Sequence, residues 1–314
     1  MKYNYAIFTD ASCDLPAELR TRFELDGYLK IYMSTPDSDE VEASVDLNDA
    51  ELDAFYSSLK ANINGYKTSP CSVDEIISCF EPFLLQGKDV LTISLSSKLS
   101  GMYNFMLNAQ KILCEKYPER KIIVIDSMKC TTGLGLLTVK ACELRAGGFS
   151  IEQNAEKIEK IKRSLHHMGS CDDLFFVALK GRISHAKAFF GTLAGVKSMG
   201  DFGSDGLINM LAKVSGYKKA QKVIIEYIKR TIKAPNEQII FIVHSARLEQ
   251  SKILASLIEE NIKPKEVIIS SIQHINGINI GPGIFAAFYF GTEITDLKYE
   301  KEIINEIISK KSNN

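Results

Sequence analysis

At 314 residues the chain is long for a single hydrophobic core, so two domains are expected. Its 45% hydrophobic and 25% charged content is ordinary for a globular protein, and a formal net charge of −1 with no long basic run argues against nucleic acid as the main partner. No apolar run reaches about 18 residues, and MKYNYAIFTD enters a strand at once, so neither a signal peptide nor a membrane span is expected. The seven cysteines form no C-x-x-C pair, which speaks against a bound metal and fits a reducing cytoplasm.

Taken in order, Tyr5–Asp10 reads as a strand that ends in the polar turn ASCDLP, with Asp14 as helix cap and Pro16 in the first turn. Residues 29–33 read as extended, 34–45 as a polar stretch and 47–61 as a helix through Leu52, Phe55, Tyr56 and Leu59. Thr68 and Ser69 precede Pro70, which holds them extended in a loop before a helix over 72–85. Residues 121–127 (KIIVIDS) form another buried strand. Thr131, Thr132, Gly133 and Gly135 open the helix that follows. Strand–helix alternation to this point indicates a parallel sheet with helices on both faces.

Gly147-Gly148 stops that helix, and 151–168 reads as a charged amphipathic helix leading to a second domain. Beyond it the pattern gives a strand at 173–179, a turn at 180–184 and a glycine-rich stretch at 191–206. Strands at 207–213, 238–245, 266–272 and 284–290 follow, with helices at 217–233, 248–261 and 295–310. The expected architecture is a Rossmann-like parallel-sheet α/β domain over 1–168 and an α+β sandwich over 169–314.

The chemistry concentrates in VLTISLSSKLSGMYN (90–104). A buried strand delivers Ser96, Ser97 and Ser100 to a helix start, where free N–H groups and the dipole favour an anion. The turn holds hydroxyl donors and no base, which fits capture of an anionic head group better than bond breaking. Serines after a strand are also common helix caps, and that reading stands beside the first.

The stretches FTDASCDLP, TSPCS (68–72), ISLSSKLSG (93–101), VIDSMKCTTGLG (124–135), LKGRIS (179–184), KVSGYKKA (213–220) and IGPG (280–283) occur in this order over nearly the whole chain. Together they resemble the DegV family of bacterial fatty-acid-binding proteins. The resemblance implies two domains with a long-chain fatty acid between them, its carboxylate held by Thr68, Ser69, Ser96 and Ser97. It also implies that a separate fatty acid kinase makes the acyl phosphate while this chain does no chemistry. Catalytic residues, cofactor and metal are therefore not expected.

Three positions depart from the family pattern: Asn279 for a histidine, Ser215 for the arginine of K-V-R-G, and Ser198 for a proline after Lys197. Asn279 still donates a hydrogen bond but takes no charge. Arg182 joins Asn279 as a candidate for the head group and reads equally as a surface salt-bridge residue. Candidate tail contacts are Phe105, Phe189, Phe190, Leu193 and Phe288, though each reads more readily as ordinary core packing. His244 reads as a core or cap residue, His274 as a surface or domain-joint residue, and Lys218, Lys219 and Lys222 as a partner-facing patch or a solvated helix face. The membrane is excluded only as a span; transient contact stays open.

Magnitudes favour the tail. At about 0.8 kcal/mol per methylene, roughly fifteen methylenes give on the order of 12 kcal/mol gross. Each hydrogen bond to a charged head adds roughly 1.5–3 kcal/mol before desolvation. The competing readings are a serine- or carboxylate-dependent hydrolase or phosphotransferase built on Asp10, Asp126 and the serines, and a degenerate interaction module. No G-x-S-x-G elbow supports the hydrolase.

Overall fold

A computed structural model describes residues 2–183 and 195–309. In chain order the strands and helices begin with β1 (Tyr5–Asp10), α1 (Ala17–Arg22), β2 (Gly27–Leu29), β3 (Ile31–Thr35), β4 (Ser38–Glu42), α2 (Asp49–Ala61) and β5 (Lys67–Pro70). Then come α3 (Val73–Leu85), β6 (Asp89–Ser94), α4 (Met102–Lys116), β7 (Ile122–Asp126), α5 (Thr131–Ala146), α6 (Ile151–Ile161), β8 (Leu165–Cys171) and α7 (Phe175–Leu179). The remainder is β9 (Val196–Phe202), β10 (Ile208–Ser215), α8 (Tyr217–Thr231), β11 (Ile239–Ser245), α9 (Leu248–Asn261), β12 (Glu266–Ser271), α10 (His274–Ile280), β13 (Ile284–Phe290) and α11 (Lys298–Ser309).

These form two compact units. The first comprises Met1–Leu47, Ala61–Lys162 and Gln273–Ile278, and the second Asn48–Lys60, Arg163–Ile272 and Asn279–Asn314.

Unit 1 is built on an all-parallel sheet in the order β2-β1-β6-β7. All six residues of β1 are buried, as a strand covered on both faces requires. Side-chain alternation shows the two helix layers. Phe8 meets Phe80 and Phe83 of α3, and Thr92 reaches Met106 of α4. Tyr5, an odd position on β1, takes a 2.8 Å hydrogen bond from Asn154 of α6, which also donates to Ala141 O of α5. The helix α3 starts where its sequence says it should. Ser72 and Glu75 form a reciprocal capping box, an arrangement worth about 1 kcal/mol. A three-stranded antiparallel sheet, β4-β3-β5, completes the unit.

Unit 2 holds a six-stranded mixed sheet, β10-β9-β8-β13-β11-β12, with only β11 and β12 parallel. One face carries Met168, Met199, Ile240, Ile242, Phe285 and Tyr289 against α8, α9 and α11. On α8 the buried residues Ala220, Val223, Ile224, Tyr227 and Ile228 recur at helical spacing, while Lys218, Lys219 and Lys222 are exposed.

Several sequence expectations change. The helix expected over 151–168 ends at Ile161, and Leu165–Cys171 is instead a strand paired along its length with β13. The strand expected at 173–179 is the short helix α7, begun by Asp173 accepting from Phe175 N. The polar stretch 34–45 contains β4, which folds back on β3 with Thr35 opposite Ser38. Part of the glycine-rich stretch 191–206 is β9. Phe189, Phe190 and Leu193 lie outside the described residues.

Candidate functional site

In unit 1 the strands β1, β6 and β7 run parallel, so Asp10, Ser94 and Asp126 end at one edge, the edge where open α/β sheets meet ligands. Asp10 ties two of the loops there together. Its carboxylate accepts from Leu95 N at 2.7 Å, from Ser12 N at 3.0 Å and from the Ser12 hydroxyl. It is fully buried, and that burial raises its pKa against the pull of those hydrogen bonds. Asp126 does the same for the next loop, accepting from Ser97 N at 3.2 Å and Met128 N at 2.9 Å. Ser96 N donates to Lys129 O at 2.9 Å, so the turn after β6 is fastened to the loop before α5.

The three hydroxyls of the turn divide by task. Ser96 is buried and its Oγ accepts from Lys98 N, shaping the turn. Ser100 Oγ accepts from Met102 N, the first residue of α4, and so serves as a cap. Ser97 is half-buried, and its hydroxyl makes no hydrogen bond among the described residues. Capping thus accounts for Ser100, turn geometry for Ser96, and Ser97 is left over.

Across that fastening lies the start of α5. Thr131 holds φ at 50°, a left-handed value unusual for a β-branched residue. The hydroxyls of Thr131 and Thr132 are buried and without hydrogen-bond partners among the described residues. Gly135 permits the close approach of this helix to the loop after β1, since a Cβ there would lie 2.8 Å from Cys13 O. Asp14, also buried, accepts from Gln273 N at 3.1 Å and Asn276 Nδ2 at 2.8 Å. Burial pushes its carboxyl up to about 8.

Thr68 and Ser69 are not in a loop but in β5, opposite Met33 and Tyr32 of β3. Neighbours in a strand face opposite sides, so the two hydroxyls point apart. Ser69 donates to Glu40 of β4, while Thr68 is half-buried. Cys71 N donates to Lys30 O, next to the Leu29 that pairs with Asp10, which anchors the end of β5 beside the sheet edge.

In unit 2, Asn279 is half-buried in the last turn of α10, before the Gly281-Pro282-Gly283 turn. Arg182 follows α7. Its guanidinium donates to Lys180 O, its Nε is buried with no partner among the described residues, and desolvation lowers its pKa. Of the face of the six-stranded sheet opposite α8, α9 and α11, the sequence singles out only Phe288. That face carries Phe202 and Phe288, each in ring contact with His167, then a trough of Gly169, Cys171, Ser198, Gly200, Met210 and Ile284 under Leu174 and Val177. Both glycines are forced by packing: a Cβ at Gly169 would meet Ala286 at 2.5 Å, and one at Gly200 would meet Asn209 O at 2.8 Å. The cavity there is about 30 Å³, room for a water or two. Phe288 belongs to this face; Phe105 is half-buried on α4 in unit 1.

No helix among the described residues is long and apolar enough to cross a membrane, and no cluster of His, Cys, Asp or Glu among them fits a metal ion.

A family profile described as an uncharacterised protein of the DegV family matches residues 4–292. A DegV domain-containing protein of Clostridium perfringens is 33% identical over 289 residues, covering 91% of this chain and 97% of its own. The fold is shared with solved proteins. A Thermus thermophilus DegV family protein described by its fatty acid binding superposes with TM-score 0.80 at 21% identity over 92% of this chain and 99% of its own. A Bacillus subtilis DegV described as a fatty acid binding protein gives 0.76 at 24% over 92% and 99%. With the profile spanning nearly the whole sequence, this chain is a member of the DegV family.

Proposed function

We propose that this protein binds a long-chain fatty acid and that unit 1 receives its carboxylate. The observation that carries the reading is the Ser97 hydroxyl at the carboxyl edge of a parallel sheet, beside the start of α5, where it and the hydroxyls of Thr131 and Thr132 have no hydrogen-bond partner among the described residues. Neutral donors around a helix N-terminus suit an anion. Ser97 and the side chains of Thr131 and Thr132 are assigned to the carboxylate, with Thr68 as the fourth donor. Ser96 aims Ser97 by holding the turn, and Ser69 faces the other side of β5. Asn279 and Arg182 enter as donors to be tested by substitution. Unit 2 supplies apolar surface in the trough of Gly169, Gly200, Cys171 and Met210, which at about 30 Å³ has to widen to take alkyl carbon. The kinship with proteins described as fatty acid binding supports the ligand class.

Binding is favoured over turnover because the carboxylates nearest the serines are spent on structure. Asp126 Oδ1 accepts from two backbone amides, and Asp10 is sealed under Leu95 and Ser12. We extend the proposal to delivery: the bound acid is presented to a fatty acid kinase that phosphorylates the carboxylate.

Calorimetric titration with palmitate and with hexadecanol tests the head-group assignment. Palmitate binds and hexadecanol binds at least about tenfold more weakly, the equivalent of one charge-assisted hydrogen bond. Ser97→Ala narrows that gap. Equal affinity for acid and alcohol would remove the carboxylate site from the account.

A further inference from the structure

Unit 2 holds a second cavity, away from the trough, that the fatty acid reading does not use. It lies at the carboxyl ends of β11 and β12, the one parallel pair in its sheet, where such pairs present ligands. Its volume is about 270 Å³, the scale of a small metabolite. His244, the penultimate residue of β11, and Ser271, the last of β12, stand opposite each other in register and both line it. The other walls come from α2 (Asp49, Leu52, Asp53, Tyr56) and the start of α9.

The charges in this cavity do not cancel. Arg247 is bound to Asp172, with Nε at 2.8 Å, and to Tyr217 OH at 2.9 Å; Asp172 also pairs with Lys197 at 2.8 Å, so that trio keeps one positive charge to set against the carboxylates on α2. Glu249 pairs with Lys252 at 3.1 Å. The Asp49 and Asp53 carboxylates have no ion pair or hydrogen bond among the described residues. They sit one helical turn apart on the same face of α2, where like charges repel. Both aspartates are exposed, and Asp49 is also favoured by the positive end of its helix dipole. Beside them His244 is only 5% exposed, with Nε2 3.3 Å from Ser271 Oγ and Nδ1 buried without a partner among the described residues. A buried imidazole nitrogen lacking a partner is costly unless something meets it.

We infer that this cavity binds a small organic cation, an alkyl ammonium with its charge on Asp49 and Asp53, a polar contact to His244 and its carbons against Leu52 and the Tyr56 ring. A single metal ion does not serve, because no three metal-ligating side chains among the described residues converge closely enough to hold one. The carboxylates share a face about 5–6 Å apart at Cβ, a span that a four-carbon diamine bridges. Tyr56 OH is fixed by donation to Ile272 O at 2.8 Å, leaving the ring as a wall that favours a cation over a neutral isostere.

The test titrates the full chain with diaminobutane, butanediol and Mn²⁺ at low ionic strength, by calorimetry and by histidine ring NMR. Diaminobutane should bind saturably and shift the His244 resonance, butanediol should not bind, and the double variant Asp49→Asn/Asp53→Asn should weaken binding at least about tenfold with unchanged melting temperature. His244→Gln should weaken it too. Because these residues lie outside the proposed carboxylate contacts, palmitate affinity should stay unchanged in every variant. No saturable diamine binding, equal binding by the double variant, equal binding of the diol, or tighter binding of Mn²⁺ would each overturn the inference.

Discussion

Asp10 is the residue on which the geometry of the turn carrying Ser97 most depends. Asp10→Asn keeps the shape but replaces one acceptor oxygen by an NH₂ group. If the remaining oxygen stays with Ser12, the new donor faces Leu95 N–H, which now donates at 2.7 Å. One hydrogen bond to a charged group is lost and a buried N–H is stranded, about 2–4 kcal/mol together. Part of this returns because a neutral amide escapes the desolvation that raises the Asp10 pKa. We expect about 2 kcal/mol net, or roughly 5 °C in melting temperature for a unit of this size. Asp10→Ala, which strands every donor, should cost more. Urea unfolding followed by circular dichroism measures the loss, and hydrogen exchange at the Leu95 amide locates it. An unchanged midpoint with Leu95 still protected would refute the assignment of Asp10 as the tie between β1 and β6.

The other predictions follow from the same contacts. Burial raises Asp14 from 3.8 to about 8. The folded protein therefore keeps a proton that the unfolded chain gives up, and stability falls as pH rises through that window, by at most about 1.4 kcal/mol per pH unit. Asp14→Asn should flatten the pH profile of unfolding in that range, and an unaltered profile would contradict the buried proton. Burial also pushes the thiols of Cys13, Cys71, Cys130, Cys142 and Cys171 up to about 12. At mildly alkaline pH a thiol reagent should label the half-buried Cys79 and Cys114 first and the other five only on unfolding, which peptide mass mapping reads directly. Cys171→Phe should fill the unit 2 trough and weaken palmitate more than octanoate; equal losses for both acids would mean the trough does not hold alkyl carbon.

Much of the fold was legible because single-layer signals decided it. Strands β1, β11 and β13 are near-continuous buried runs, and the cap at Ser72 carries its partner Glu75 three residues on. The errors fall where pairing overrides local preference. LHHMGSC has little strand character of its own, and it is a strand because β13 and β9 flank it. FFVAL has the composition of a strand and becomes one helical turn because Asp173 caps it and no strand pairs with it among the described residues. At the site, three clustered serines were visible, but which hydroxyl is spare was not. That depends on Asp126 and Lys129, residues some thirty positions away that take the turn's amides. Thr68 and Ser69 read as extended from the following proline, yet only their register with β3 shows that they face apart. The trough in unit 2 has no sequence signature, since its glycines are set by contacts with Ala286 and Asn209.

The claim that a carboxylate-bearing long chain belongs in this protein is tested most directly by native mass spectrometry of the full chain purified from a bacterial host. The account predicts a bound long-chain acid that is removed by delipidation, returns on incubation with palmitate, and is held at lower occupancy by the Ser97→Ala protein. A ligand-free mass on purification, with no uptake from a panel of long-chain acids, would contradict it.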